Sequence, residues 1–214
     1  MKILHLSDTH GQHNRLKGLP EADVIVHSGD FTFGGSEREV LDFLNWFCDL
    51  PYKYKIFIAG NHDDCLWNSE IDGLPNNCYG LRYSSVNIEG VKFHGIPMFV
   101  QDCVSGLNNT AIRNISLDTD ILITHCPPFE ILDFDDNIHY GSKELLTAVE
   151  RIRPHYHLFG HIHSNNGVEE GGFTTFVNSA IVNEIYGDLQ PWHLIEIWAQ
   201  GGFSVDVLTP NRIS

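Results

Sequence analysis

Five short apolar runs constrain this chain more than any other feature of it. Each is broken off by glycine or by polar residues that include a histidine or an aspartate. "KILHL" (2–6) runs into "SDTHG", "ADVIVHS" (22–28) into "GDF", "YKIFIA" (54–59) into "GNHDD", "DILIT" (120–124) into "HCPP", and "YHLF" (156–159) into "GHIH". Segments this short and this rich in Ile, Val, Leu and Phe read as strands buried on both faces. Helical patterns lie between them. Residues 36–50 open with Ser36 and Glu39 at capping-box spacing and put Val40, Leu41, Phe43, Leu44 and Phe47 on one face. Residues 142–154 run from a Ser142 cap to a terminating Pro154. Strand alternating with helix predicts an α/β fold with a largely parallel sheet. Hairpin turns at Glu89-Gly90, at Gly171-Gly172 and within 193–208 add antiparallel strands to it. No linker or shift of composition divides the chain, so a single domain over 1–214 is expected.

In open α/β sheets, ligands bind beyond the carboxyl ends of the strands. The residues delivered there are Asp8 and His10, Asp30, Asn61, His62 and Asp63, His125, then His161 and His163. In an extended segment residues i and i+2 face the same way, so "DTH" and "HIH" would each aim two donors at one point. The donors are carboxylate, imidazole and amide groups without a thiolate. Such a set suits Mn²⁺, Fe, Zn²⁺ or Ni²⁺ and argues against a structural zinc knuckle.

Charge narrows the partners. With 28 acidic against 13 basic side chains the net charge is −15, a surface that repels long nucleic acid. A phosphate-containing substrate would therefore need its charge met locally, by a few placed cations or by metal. The five cysteines are odd in number and scattered, which predicts free thiols in a reducing compartment, the cytoplasm. The first apolar run is far too short for a signal-peptide core, and no run approaches the ~18 residues of a membrane span. The oligomeric state is open, a homo-oligomer included.

The order D-x-H, G-D, G-N-H-D, H followed by Pro-Pro, and G-H-x-H across residues 8–163 resembles the calcineurin-like metallophosphoesterases. "SDTHG", "IAGNHD", "LITHCPP", "LFGHIH" and "TTFVNSA" look like its class III cyclic nucleotide phosphodiesterases and metallophosphoesterase domain-containing proteins. The resemblance implies two packed mixed sheets flanked by helices, an α/β/β/α sandwich, and a centre of two divalent transition-metal ions, Mn²⁺ first among them. One ion would take Asp8, His10 and His163, the other Asn61, His125 and His161, with Asp30 bridging. Two cations ~3.5–4 Å apart need such an anionic bridge, and a hydroxide between them would attack the phosphorus. By the same resemblance His62 protonates the leaving oxygen or hydrogen-bonds the phosphoryl group, with Asp63 orienting its ring.

Asn178 stands between a strand-end turn residue and a support of the centre, and Cys126 and Cys65 read as packed thiols. His5, His27, His94, His155 and His157 read as satisfied strand histidines. His13 and His139 lie close enough to the motifs to face the site. Few lysines or arginines stand near the motifs, which favours a small phosphodiester such as a cyclic nucleotide over a dianionic monoester. The alternatives are a phosphomonoesterase and a metal-bearing interaction scaffold with little catalysis. The −15 charge disfavours a nuclease acting on long polynucleotides.

Overall fold

A computed structural model describes residues 1–183, 187–197 and 203–209. In chain order the strands are β1 (Lys2–Leu6), β2 (Val24–His27), β3 (Tyr54–Phe57), β4 (Cys78–Gly80), β5 (Ser84–Ile88), β6 (Val91–Ile96) and β7 (Ile121–Thr124). They continue with β8 (Phe134–Asp135), β9 (Ile138–His139), β10 (Tyr156–Phe159), β11 (Gly167–Glu170), β12 (Thr175–Asn178), β13 (Trp192–Ile197) and β14 (Phe203–Leu208). The helices are α1 (Glu37–Asp49), α2 (Val100–Ser105), α3 (Leu107–Arg113) and α4 (Lys143–Ile152).

The five apolar runs do not share one sheet. β1, β2 and β3 are parallel neighbours in a sheet of order β14-β13-β1-β2-β3-β4, and β7 and β10 lie in a second, β11-β12-β10-β7-β6-β5. Both are mixed, because β13 pairs antiparallel with β1 and β14 antiparallel with β13, and the β5–β6 and β11–β12 hairpins close the second sheet. Glu89 and Gly90 both take positive φ (52° and 89°), the geometry a two-residue hairpin needs. The turn expected within 193–208 lies outside the described residues.

Strand alternation explains why the runs are apolar throughout. Ile3, Val24, Val26, Ile56, Ile121, Ile123, Tyr156 and Leu158 fill the layer between the sheets. Their neighbours Leu4, Leu6, Ile25 and Phe57 face α1, and Leu122 and Phe159 face α3 and α4. Each run is buried on both sides, in four layers: helix, sheet, sheet, helices. In α1 the Ser36 cap and Glu39 form the reciprocal capping box, and Val40, Phe43, Leu44 and Phe47 are buried. Leu41 departs from expectation, being 53% exposed, because it falls at the edge of the apolar stripe rather than within it. None of the described helices is long and apolar enough to cross a membrane.

Several strand histidines are held by hydroxyls within this frame. His5 bridges Ser28 and Ser179, His193 shares Ser179, His27 meets Thr9, and His157 meets Thr124. All four are fully buried. His155 differs, standing exposed just before β10. Burial pushes His27 and His157 down to about 3 and His193 to about 4. These imidazoles stay neutral in the fold while the unfolded chain protonates near 6.5, so the stability that depends on them is complete above about pH 6.5 and declines toward pH 4. Metal-free protein is expected to lose thermal midpoint progressively below pH 6.5. At full slope each such histidine contributes about 1.4 kcal/mol per pH unit. A midpoint flat from pH 8 to pH 5 would contradict this.

Candidate metal centre

The carboxyl ends of β1, β2, β3, β7 and β10 come together where the two sheets meet. The junction is sealed by Ser7, whose N–H donates to Ser179 O and whose carbonyl accepts from Ile181 N–H, both at 2.9 Å. Around it lie three sets of ligand atoms, each within 4.8 Å of one another: Asp8, His10 and His163; Asp30, His125 and His161; and His10, Asp30 and His62. Asn61 joins the second set through Oδ1, 3.0 Å from His125 Nε2.

Strand alternation does not create this convergence. Asp8, His10, Asp30 and His161 all take positive φ, 54°, 43°, 54° and 70°. Left-handed backbone is costly for residues with a Cβ and concentrates at functional sites. The "DTH" and "HIH" donors are thus turned inward by left-handed turns after the strands, and His163 already belongs to a 3₁₀ turn. Glycine permits the crowding. A Cβ on Gly160 would sit 1.9 Å from Asp8 Oδ2, and one on Gly60 2.1 Å from Asp30 Oδ1. Gly160 is therefore required for close approach rather than for a special φ.

Backbone carbonyls set the histidine tautomers. His10 Nδ1 donates to Thr32 O at 3.1 Å, His125 Nδ1 to Ser28 O at 2.9 Å, and His163 Nδ1 to Val182 O. A carbonyl only accepts, so in the neutral ring the proton is on Nδ1 and Nε2 presents a lone pair. Those lone pairs converge: His10 Nε2 and His163 Nε2 are 3.2 Å apart. Asp8 Oδ1, which is buried without a hydrogen-bond partner among the described residues, lies 3.3 Å from His163 Nε2 and 4.0 Å from His125 Nε2. Asp30 Oδ2 stands between the two groups, 3.2 Å from His125 Nε2 and 4.0 Å from His10 Nε2. Imidazole nitrogens and carboxylate oxygens gathered this closely, with the histidines fixed by carbonyls behind them, are the arrangement of a metal site. The donor set and its orphaned carboxylate oxygen fit divalent metal.

Titration follows the same electrostatics. Burial acts to raise the pKa of Asp8 and Asp30, yet the imidazoles around them, His125 first, hold both carboxyls below the usual range. Burial opposes a charged His125, but the carboxylates of Asp30 and Asp8 outweigh it and raise the ring to about 10. Burial, reinforced by His125, lowers His161 to about 4.

His62 Nδ1 donates to Phe33 O at 2.9 Å, and its ring stands edge-on to His10 with centroids 4.8 Å apart. Asp63 does not orient that ring. Its fully buried carboxylate accepts from the N–H groups of Asp30 (2.9 Å), Gly60 (2.8 Å) and Thr32 (2.9 Å) and from the Thr32 hydroxyl. Four donors on one side chain tie the β2 loop to the β3 loop, so Asp63 positions Asp30 and Asn61. Asn178 braces the centre in a comparable way, since its amide donates to Ile162 O at 2.9 Å and fastens the residue between His161 and His163. His13 is turned away from the centre, packed on Phe43 and Trp46 of α1 and 3.3 Å from Asp42. The Cys126 thiol points at the carbonyls of Pro127 and Tyr140, and burial pushes it up to about 12. Sequence reasoning missed Phe33, 71% exposed beside His10 and His62, and the three carbonyls. An apolar residue in a glycine-rich loop was the available signal for Phe33; the carbonyls left none.

The family model described as calcineurin-like phosphoesterase matches residues 1–165, a span that contains every one of these donors. The chain belongs to this family. It is 33% identical over 233 residues to human metallophosphoesterase domain-containing protein 1, covering 92% of this chain and 71% of that protein. To a UPF0046 protein of Caenorhabditis elegans it is 34% identical over 215 residues, covering 86% and 71%. Among solved structures, one crystal structure superposes on this calcineurin-like phosphoesterase with a TM-score of 0.66 at 15% identity, covering 97% of this chain and 99% of that chain. GAP50, the anchor in the inner membrane complex of Plasmodium, superposes with 0.59 at 12% identity over 99% and 85%. At such identities the likeness concerns the fold alone: two mixed sheets with flanking helices.

Proposed function

We propose that this phosphoesterase hydrolyses small phosphate diesters at a centre of two divalent transition-metal ions. Asp8, His10 and His163 hold one ion, Asn61, His125 and His161 the other, and Asp30 serves both. The observation that carries this is the convergence of three histidines, each held through Nδ1 by a backbone carbonyl, and of the Asp8 and Asp30 carboxylates on one buried point. When bound, the two ions would supply Lewis-acid stabilisation of the phosphoryl oxygens and acidify water.

The side chains then divide the remaining work. Asp30 offsets the repulsion between two cations, and Asp63 keeps Asp30 in place by accepting its N–H. With Nδ1–H committed to Phe33 O, His62 faces the centre with Nε2, and when the ring takes a second proton there, that proton is the one handed to the departing alkoxide. The cleft at His10 and His62 is lined, among the described residues, by no lysine or arginine. A monoanionic diester suits such a cleft better than a dianionic monoester, whose extra charge would lack a partner.

Protein purified without chelator is expected to carry two transition-metal ions per chain by elemental analysis. His161→Ala should empty mainly one position and His163→Ala the other; two ions retained by both variants would sink the assignment. In a panel with Mn²⁺, a bis-aryl phosphate and the 2′,3′- and 3′,5′-cyclic nucleotides should turn over faster than an aryl monophosphate. Monoester rates exceeding diester rates by a large factor would make this a phosphomonoesterase. Bound metal without turnover of any ester would leave the scaffold reading.

A further inference from the structure

The five cysteines are scattered in the sequence, and all five thiols are free. Folding nevertheless brings two of them together. Cys48 stands on the last turn of α1, and Cys78 opens β4, the edge strand of the first sheet. Their positions differ by 30 residues, yet the Sγ atoms lie 3.7 Å apart. A disulfide bond is ~2.05 Å long, so the two sulfurs have a gap of less than ~2 Å to close. Both side chains belong to the apolar layer between α1 and the first sheet.

The two thiols differ in access. Cys78 is 5% exposed, whereas Cys48 is half-buried. Burial, reinforced by the Cys48 thiol, pushes Cys78 up to about 12, and the charge of Lys55 acts against that rise. Lys55 of β3 stands in register with Cys78 of β4 and is itself buried. Its ammonium donates to Tyr52 O at 3.1 Å, and among the described residues it pairs with no carboxylate. A buried cation of this kind stabilises a thiolate that forms beside it. A small oxidant therefore reaches Cys48 first, and Cys78 is placed to react with the product.

We propose that Cys48 and Cys78 form a redox modification site, at which hydrogen peroxide or an organic hydroperoxide installs a reversible disulfide that staples β4 to α1. In the first step Cys48 Sγ attacks a peroxide oxygen and the O–O bond breaks. With hydrogen peroxide, the departing hydroxide takes the thiol proton as water and leaves a sulfenic acid on Cys48. In the second step Cys78 Sγ attacks Cys48 Sγ, the S–O bond breaks, and the hydroxide leaves with the Cys78 proton as a second water. Two thiols lose two electrons between them, and one peroxide is reduced. The new bond closes a loop that contains β3 and the Asn61–His62–Asp63 turn. It involves no residue of the metal centre, so the proposal stands apart from the phosphoester reading.

The purified chain, treated with a few equivalents of hydrogen peroxide, should lose the mass of two hydrogens. Proteolytic mapping should recover the peptides of Cys48 and Cys78 joined. The crosslink should raise the thermal midpoint by about 5–10 °C, and dithiothreitol should reverse both changes. Cys48→Ser, at a half-buried position that leaves the core in place, should abolish the crosslink and the rise. Cys78→Ala should leave the sulfenic acid stranded on Cys48, where dimedone traps it. Persistence of both thiols in wild type overturns the proposal, as does conversion of Cys48 to a sulfinic acid without a crosslink. A bond that joins other cysteines instead, or a linked chain no more stable than the reduced one, overturns it equally.

Discussion

Asp30→Asn is expected to abolish double metal occupancy and to lower kcat/KM for a diester by about a thousandfold or more. The substitution keeps the shape of the side chain and an oxygen for His62 N–H, which Asp30 Oδ1 accepts at 2.8 Å. What it removes is charge. Asp30 Oδ2 is the carboxylate oxygen that lies 3.2 Å from His125 and 4.0 Å from His10, so one atom serves both ligand groups. Without it, two cations would face each other across a neutral amide at a buried position. Uncompensated buried charge costs about 3–5 kcal/mol, which corresponds to a loss of that size. Elemental analysis should return at most one ion per chain. Added Mn²⁺, which should raise the thermal midpoint of wild type by mass action, should raise that of the variant far less. A variant that binds two ions and works within tenfold of wild type would remove Asp30 from the position between the metals.

His62→Ala should leave metal content unchanged and slow turnover by an amount that depends on the leaving group. A positioned general acid contributes about 10²–10⁴-fold when the departing alkoxide is a strong base. An alkyl or nucleoside ester should therefore lose rate over that range, while a p-nitrophenyl ester, whose leaving group needs little protonation, should lose much less. Loss to the same extent for both, or loss of metal, would show that His62 shapes the site instead of donating the proton. Phe33 enters here too, because its carbonyl fixes the ring and its side chain stands exposed at the cleft.

Much of this protein is legible in its amino-acid sequence. The apolar runs announce strands, and the Ser36–Glu39 pair announces a helix that forms as expected. The glycines in "GDF", "GNHD" and "GHIH" mark the places where a strand end meets another strand's acid or imidazole. The placement of donors just past strand ends pointed to the region where the candidate ligand clusters lie. Asp63 was misread because proximity in "GNHD" suggested a partnership with His62. The fold instead commits that carboxylate to four donors, three of them from the β2 loop some thirty residues away. His13 and His139 look alike in sequence, yet one packs on α1 and the other lines a cavity beside His125.

Periodicity, caps and turn residues act over a few neighbours, and so the chain by itself determined its elements and the kinds of donor carried at their ends. Only the tertiary structure decided that β1, β2 and β3 lie in one sheet and β7 and β10 in the other. It alone turned Asp8, His10, Asp30 and His161 inward through left-handed backbone. It alone supplied the carbonyls of Ser28, Thr32 and Val182 that hold the Nδ1 atoms of His125, His10 and His163. Ser28 is 97 residues from the histidine it holds. Every residue carries the same carbonyl, so such a partner leaves no mark in the sequence and is chosen only when the layers pack.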